Sequence, residues 1–125
     1  MDAVVQTERL MVRPRILIVD DERNASSALS EILCDAGYDV AVATTGEEGL
    51  ALLDSFRPNV LLTDVFMHGM NGLELAKVAR RKLDALQVVF MSGYAPKDRG
   101  KAPWLSKPLR LDELLTTLQR VLLPT

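Results

Sequence analysis

Apolar residues gather along this chain in short runs that stop abruptly on polar ones, and between the runs they recur at helical spacing. Ile16 to Val19 runs into Asp20 and Asp21, Val60 to Thr63 into Asp64, Val88 to Met91 into Ser92, and Pro103 to Leu105 into Ser106 and Lys107. Val40 to Ala43 is a fifth run. Short apolar runs bounded in this way predict strands buried on both faces, as in a parallel sheet. Between them, Ala25, Ala28, Leu29, Ile32, Leu33 and Ala36 predict the inner face of a helix that Gly37 terminates. Thr45 with Glu48 is a capping-box signature for a second helix with an inner stripe of Leu50, Leu53 and Phe56, closed by Pro58. Leu75, Ala76, Ala79 and Leu83 predict a third, with Lys77, Arg80, Arg81 and Lys82 as its solvated face. Leu111, Leu114, Leu115, Leu118, Val121 and Leu122 predict the last.

This alternation predicts an α/β fold, a doubly wound five-stranded parallel sheet of order 2-1-3-4-5 with right-handed crossovers. One connection departs from the pattern. Parallel neighbours need a crossover of about a dozen or more residues, usually helical. Gly93 to Ala102 offers a short stretch with Pro96, two glycines and four charges, so the fourth helix is expected to be shortened or missing, with at most one turn. Residues 1–14 lack a clean period and read as a flexible leader ending at Pro14, which leaves residues 15–125 as one domain.

In an open parallel sheet the ligand crevice lies outside the carboxyl ends of the strands, at the switch point between the first and third. Asp20 and Asp21 are therefore expected to face Asp64 across one groove, with Ser92 and Lys107 at the same edge. Three crowded carboxylates repel one another unless a cation compensates them, and oxygen ligands suit Mg²⁺. Asp21 and Asp64 are the expected direct ligands, with the backbone carbonyl of Phe66, and Asp20 through a water. A carboxylate beside Mg²⁺ is a competent nucleophile toward phosphorus; Lys107 would neutralise equatorial oxygens while the Ser92 hydroxyl donates to another.

Composition narrows the alternatives. Fifteen basic residues against 17 acidic ones give a formal net charge of -2, which offers no basic footprint for nucleic acid. The first fourteen residues hold no long apolar run, so neither a secretion signal nor membrane insertion is expected, and a cytoplasmic address follows. The single cysteine, Cys34, cannot form an internal disulfide. At 125 residues, a separate output domain is not expected in the chain.

Asp20 and Asp21 after Ile16 to Val19, Asp64 after Val60 to Thr63, Gly72 in the following loop, Ser92 with Gly93, and Lys107 with Pro108 jointly carry a resemblance. From about Pro14 onward the chain resembles a two-component response regulator receiver domain of the chemotaxis type, whose fold is flavodoxin-like. The resemblance implies that Asp64 accepts phosphate from the phosphohistidine of a histidine kinase or phosphotransfer domain, using Mg²⁺. It further implies that Ser92 moves to meet the phosphoryl group, that Trp104 is the switch aromatic, and that a downstream protein reads the change.

Two departures from that family stand out: His68 where proline is usual, and the short 93–102 connection. Loss of the usual dimerisation face implies a monomer or weak dimer. The short tail also resembles receivers fused to hybrid kinases, so a phosphate-sink role stands beside the switch role. A phosphorylation-independent interaction module is the other alternative. A Mg²⁺-dependent phosphatase would want a second carboxylate two residues past the nucleophile, where Phe66 stands, so the chain reads as an acceptor and not a turnover enzyme. Phe66 and Tyr94 are expected to frame access of water to the site.

Overall fold

The structure, a computed structural model, describes residues 13–94 and 100–123. In chain order its elements are β1 (Arg15–Val19), α1 (Arg23–Asp35), β2 (Asp39–Ala43), α2 (Gly46–Phe56), β3 (Val60–Asp64), α3 (Gly72–Lys82), β4 (Gln87–Ser92), β5 (Trp104–Ser106) and α4 (Leu111–Leu122). The strands form one parallel sheet of order β2-β1-β3-β4-β5. The last strand lies one residue later than the apolar run suggests, because Pro103 has no N–H to give a ladder while its carbonyl accepts from Phe90 N at 2.9 Å.

Strand side chains alternate between the two faces, and each face is sealed by its own helices. Ile16, Ile18, Leu62, Val89 and Met91 pack against Leu33 of α1 and against Leu114 and Leu118 of α4. Leu17, Val19, Leu61, Val88 and Phe90 pack instead against Leu53 of α2 and against Leu75, Ala76 and Ala79 of α3. Fully burying one such side chain stabilises by about 1.5–3 kcal/mol, so the central strands carry most of the hydrophobic driving force. Right-handed crossovers account for the distribution: the chain leaves β1 toward one edge and returns past it toward the other, placing α1 and α2 on opposite faces.

Local signals set the helix ends. Gly37 terminates α1 at φ 103, with its N–H on the Cys34 carbonyl (3.1 Å). Arg57 ends α2 in the left-handed region at φ 51, directly before Pro58. Thr45 caps α2 by accepting from Glu48 N at 3.0 Å, but the reciprocal half of the expected box is absent: the Glu48 carboxylate takes the Thr44 hydroxyl at 3.3 Å. The complete capping box lies at α3, between Asn71 and Glu74.

Two expectations need correction or placement. Ala25, Ala28 and Ile32 are not core: α1 buries Ser26 and Leu33, while Ala28 is exposed and Ile32 is 39% exposed. The helix sits rotated from its apolar stripe because Ser26 satisfies its hydroxyl on the Arg23 carbonyl at 3.0 Å and so can face inward. A fourth helix of full length is present as α4, after β5. The expectation of a shortened or missing helix concerns the β4–β5 connection, whose residues 95–99 lie outside the described residues, as do residues 1–12 of the expected leader.

Candidate functional site

β1 and β3 are adjacent and end together, Val19 beside Thr63, so the next residues of both strands emerge at one edge. Asp20 follows β1 and is 3% exposed; its N–H bonds the Ala43 carbonyl at 3.1 Å and its Oδ1 accepts from Glu22 N at 2.9 Å. Asp64 closes β3. With Asp21 they form a cluster in which one carboxylate oxygen from each residue lies within 4.8 Å of those of the other two.

Lys107 enters from the far side of the sheet. Its N–H extends the β4–β5 ladder to the Ser92 carbonyl at 2.9 Å, and the Lys107–Pro108 peptide that follows is cis. The ammonium donates at 2.9 Å to Asp20 Oδ2 and at 2.9 Å to Asp64 Oδ2. Burial pulls the lysine toward its neutral form, yet the hydrogen bonds to Asp64 and Asp20 and their charges outweigh it, so its pKa stands above the ordinary value. Three carboxylates against one ammonium leave an excess of two negative charges. That excess, on an all-oxygen donor set, fits a divalent hard cation.

Asp21 is more open. His68 donates its main-chain N–H to Asp21 Oδ2 at 3.2 Å and sets its ring Nδ1 3.1 Å from the same oxygen. Through the His68 side-chain hydrogen bond first, and against some desolvation, the Asp21 carboxyl is held below its ordinary pKa. Sequence reasoning marks His68 as standing where proline is usual but does not place it on Asp21; the β3–α3 loop has to be folded before that contact exists.

The loop itself is drawn tight by Gly72. Its N–H bonds the Val65 carbonyl at 2.9 Å, and a Cβ added there would collide with the carbonyl oxygen of Asp64. Only glycine lets α3 begin so close to the end of β3. Phe66, 62% exposed, shares an open depression with Asp21, Met67 and His68.

Ser92 and Trp104 stand apart from the cluster in different ways. Ser92 ends β4 and is buried, but its hydroxyl turns to its own loop, donating to the Tyr94 carbonyl at 2.6 Å and accepting from Tyr94 N at 3.0 Å. Trp104 packs on the α2/α3 side of the sheet, its ring centroid 5.1 Å from that of Phe90 with the planes inclined at 40°. Tyr94 is 67% exposed.

Residues 16–119 match the family described as the response regulator receiver domain. Response regulator MprA of Mycolicibacterium vanbaalenii is 35% identical over 115 residues, covering 86% of this chain and 50% of its own length. The chain thus spans about half the length of the curated relatives it matches. Chemotaxis protein CheY4 of Vibrio cholerae superposes with a TM-score of 0.83 at 32% identity, over 89% of this chain and 100% of that one. Response regulator protein TrrA of Thermotoga maritima, in complex with Mg²⁺-BeF, gives a TM-score of 0.79 at 31% identity, over 87% and 99% of the two chains. No helix among the described residues is long and apolar enough to cross a membrane.

Proposed function

Since the chain belongs to the response regulator receiver domain family of two-component systems, we propose that it is a phosphorylation-operated switch whose acceptor is Asp64. The observation that carries this reading is the Lys107 ammonium bridging Asp20 and Asp64 at 2.9 Å each, with Asp21 in the same carboxylate cluster.

The donor is the phosphohistidine of a histidine kinase or phosphotransfer domain. An Asp64 carboxylate oxygen attacks phosphorus in line; the P–N bond to the imidazole breaks as the P–O bond to Asp64 forms, and the imidazole leaves with the electron pair. Mg²⁺ would suit this donor set; Asp21, Asp64 and the Phe66 carbonyl are the groups that would hold it, with Asp20 acting through a water. Bound there, the ion supplies charge neutralisation for the phosphoryl oxygens. The TrrA complex with Mg²⁺-BeF supports the assignment by likeness.

Lys107 is already placed to donate to a phosphoryl oxygen on Asp64, and transfer of one hydrogen bond from carboxylate to phosphate requires no new approach. Ser92 sits one strand away with its hydroxyl on Tyr94; releasing it toward the phosphoryl group is the step that changes the loop, and Trp104 beside Phe90 takes up the change in packing. Beside Asp20 and Lys107, an apolar depression lined by Ala25, Leu29, Ile32 and Leu109 accommodates the helix of a donor close to Asp64. With Phe66 where an acid–base carboxylate would be needed, the chain acts as an acceptor and not as a turnover enzyme.

Intact mass after incubation with acetyl phosphate and Mg²⁺ tests the reading. The wild type should gain one phosphoryl group, and Asp64→Asn or excess chelator should abolish the gain. No gain in the wild type, or an equal gain in Asp64→Asn, would overturn it.

A further inference from the structure

Two of the three clustered carboxylates are anchored by groups outside the β3–α3 loop. Asp20 accepts on both oxygens, Oδ1 from Glu22 N at 2.9 Å and Oδ2 from the Lys107 ammonium at 2.9 Å. Asp64 accepts the same ammonium on Oδ2 at 2.9 Å. Asp21 is held differently, twice over by one residue of that loop. Its Oδ2 receives the His68 main-chain N–H at 3.2 Å and lies 3.1 Å from His68 Nδ1. An ionised carboxylate can only accept, so the Nδ1 that faces it carries the proton and donates.

The His68 side chain is otherwise fully exposed, so burial of apolar surface does not account for its place. Proline, the residue usual in the family at this position, could make neither bond, because it has no ring donor and no main-chain N–H. Both donors on Asp21 Oδ2 therefore come from a departure peculiar to this chain.

That departure changes what the cluster can offer a cation. Two oxygens of Asp20, one of Asp64 and one of Asp21 already accept hydrogen bonds. Asp21 Oδ1 and Asp64 Oδ1 accept from no other described residue. Mg²⁺ keeps several waters and needs only one or two carboxylates, whereas Ca²⁺ gathers roughly six to eight oxygens and often takes both oxygens of a carboxylate. A chain that leaves few oxygens unclaimed suits the first ion better than the second.

We propose that His68 sets the cation preference of this cluster: by engaging Asp21 Oδ2 from both main chain and ring, it leaves Asp21 one oxygen to offer and so favours Mg²⁺ over Ca²⁺. This preference presupposes the divalent-cation site proposed above and goes beyond it, assigning selectivity to a positioning residue outside the expected ligand set. Phosphate transfer to Asp64 is not required for it.

Mn²⁺, which also suits oxygen donors, is the probe, with the full chain at one fixed pH. Free Mn²⁺ is read from its electron paramagnetic resonance signal, and its displacement by Mg²⁺ or by Ca²⁺ gives the ratio of the two affinities. The wild type should favour Mg²⁺. His68→Ala, which keeps the main-chain N–H, should shrink that preference about threefold, and His68→Pro, which loses both donors, about tenfold. His68→Asn separates donation from bulk. Its side-chain NH₂ stands as far from Cβ as the histidine Nδ1 does, so its ratio should stay within about twofold of wild type. Urea midpoints show which variants fold, and His68→Ala with His68→Asn decide the matter if His68→Pro does not. A ratio unmoved in His68→Ala, a ratio in His68→Asn as low as in His68→Ala, or a wild type that prefers Ca²⁺ would each overturn the proposal while leaving a divalent site in place. A wild type that binds no Mn²⁺ would overturn the cation site and the preference together.

Discussion

Lys107 Nζ lies 2.9 Å from Asp64 Oδ2, and the same ammonium lies 2.9 Å from Asp20 Oδ2. One cation thus ties the ends of β1 and β3 to the segment after β5, across residues far apart in the chain. The lysine's pKa is raised: burial opposes its charge, but the hydrogen bonds and charges of Asp64 and Asp20 prevail.

That shift gives the first pH prediction. A pKa higher in the folded than in the unfolded chain contributes stability that is complete below the ordinary lysine value of about 10.4 and is lost as pH rises through the folded value. The stability difference between wild type and Lys107→Met should be level near neutrality and shrink above about pH 10.4. Urea denaturation at stepped pH measures it. Tyr38, whose pKa burial also raises, titrates in both proteins and cancels in the difference. A gap of constant size into strong alkali would mean that the charged bridge does not stabilise the fold.

Gly72→Ala tests the close approach of α3 to β3. The added Cβ meets the Asp64 carbonyl, which is backbone and cannot swing aside, so a loss on the order of 1–3 kcal/mol is expected from overpacking. Phosphorylation with acetyl phosphate should fall as well, since the acceptor's own peptide unit must shift. An unchanged urea midpoint would show that the loop relaxes without cost.

His68→Ala tests the contact on Asp21. Removing the ring should let the Asp21 carboxyl titrate closer to its ordinary value of about 3.9, followed by carboxyl carbon NMR without added metal. Here the sign is opposite to that of Lys107. A carboxyl whose folded pKa is depressed stabilises above its unfolded value and loses that contribution as pH falls through the folded one, so the variant should lose less stability in acid. An unmoved Asp21 titration would assign the shift to the His68 main-chain N–H, which the variant keeps.

The sheet and the carboxylate cluster were legible because both follow from local rules. A buried strand must be apolar along its length, and the parallel pairing of β1 with β3 brings the strand ends of Asp20 and Asp64 together whatever the loops do. Features made by side-chain competition were less legible. Ser26 faces inward on α1 in place of Ala28 because its hydroxyl finds the Arg23 carbonyl, a contact that apolar periodicity does not register. Glu48 leaves the expected box for Thr44, while Asn71 and Glu74 complete one that the same N-x-x-E spacing could have revealed. His68 reaches Asp21 only through the conformation of the β3–α3 loop, which no spacing rule specifies.

Ser92 joins Tyr94 in a small closed ring, hydroxyl to carbonyl and amide to hydroxyl, confined to one loop. A hydrogen bond of this kind contributes only about 0.5–1.5 kcal/mol net, a few multiples of thermal energy at most. In the switch proposed above, the serine would therefore act as a detent and not a lock, its loop slipping the notch under modest load and falling back when the load is gone. In the proposed switch, the duration of a signal is then written in the chemical lifetime of the acyl phosphate on Asp64, and the loop keeps no memory of its own.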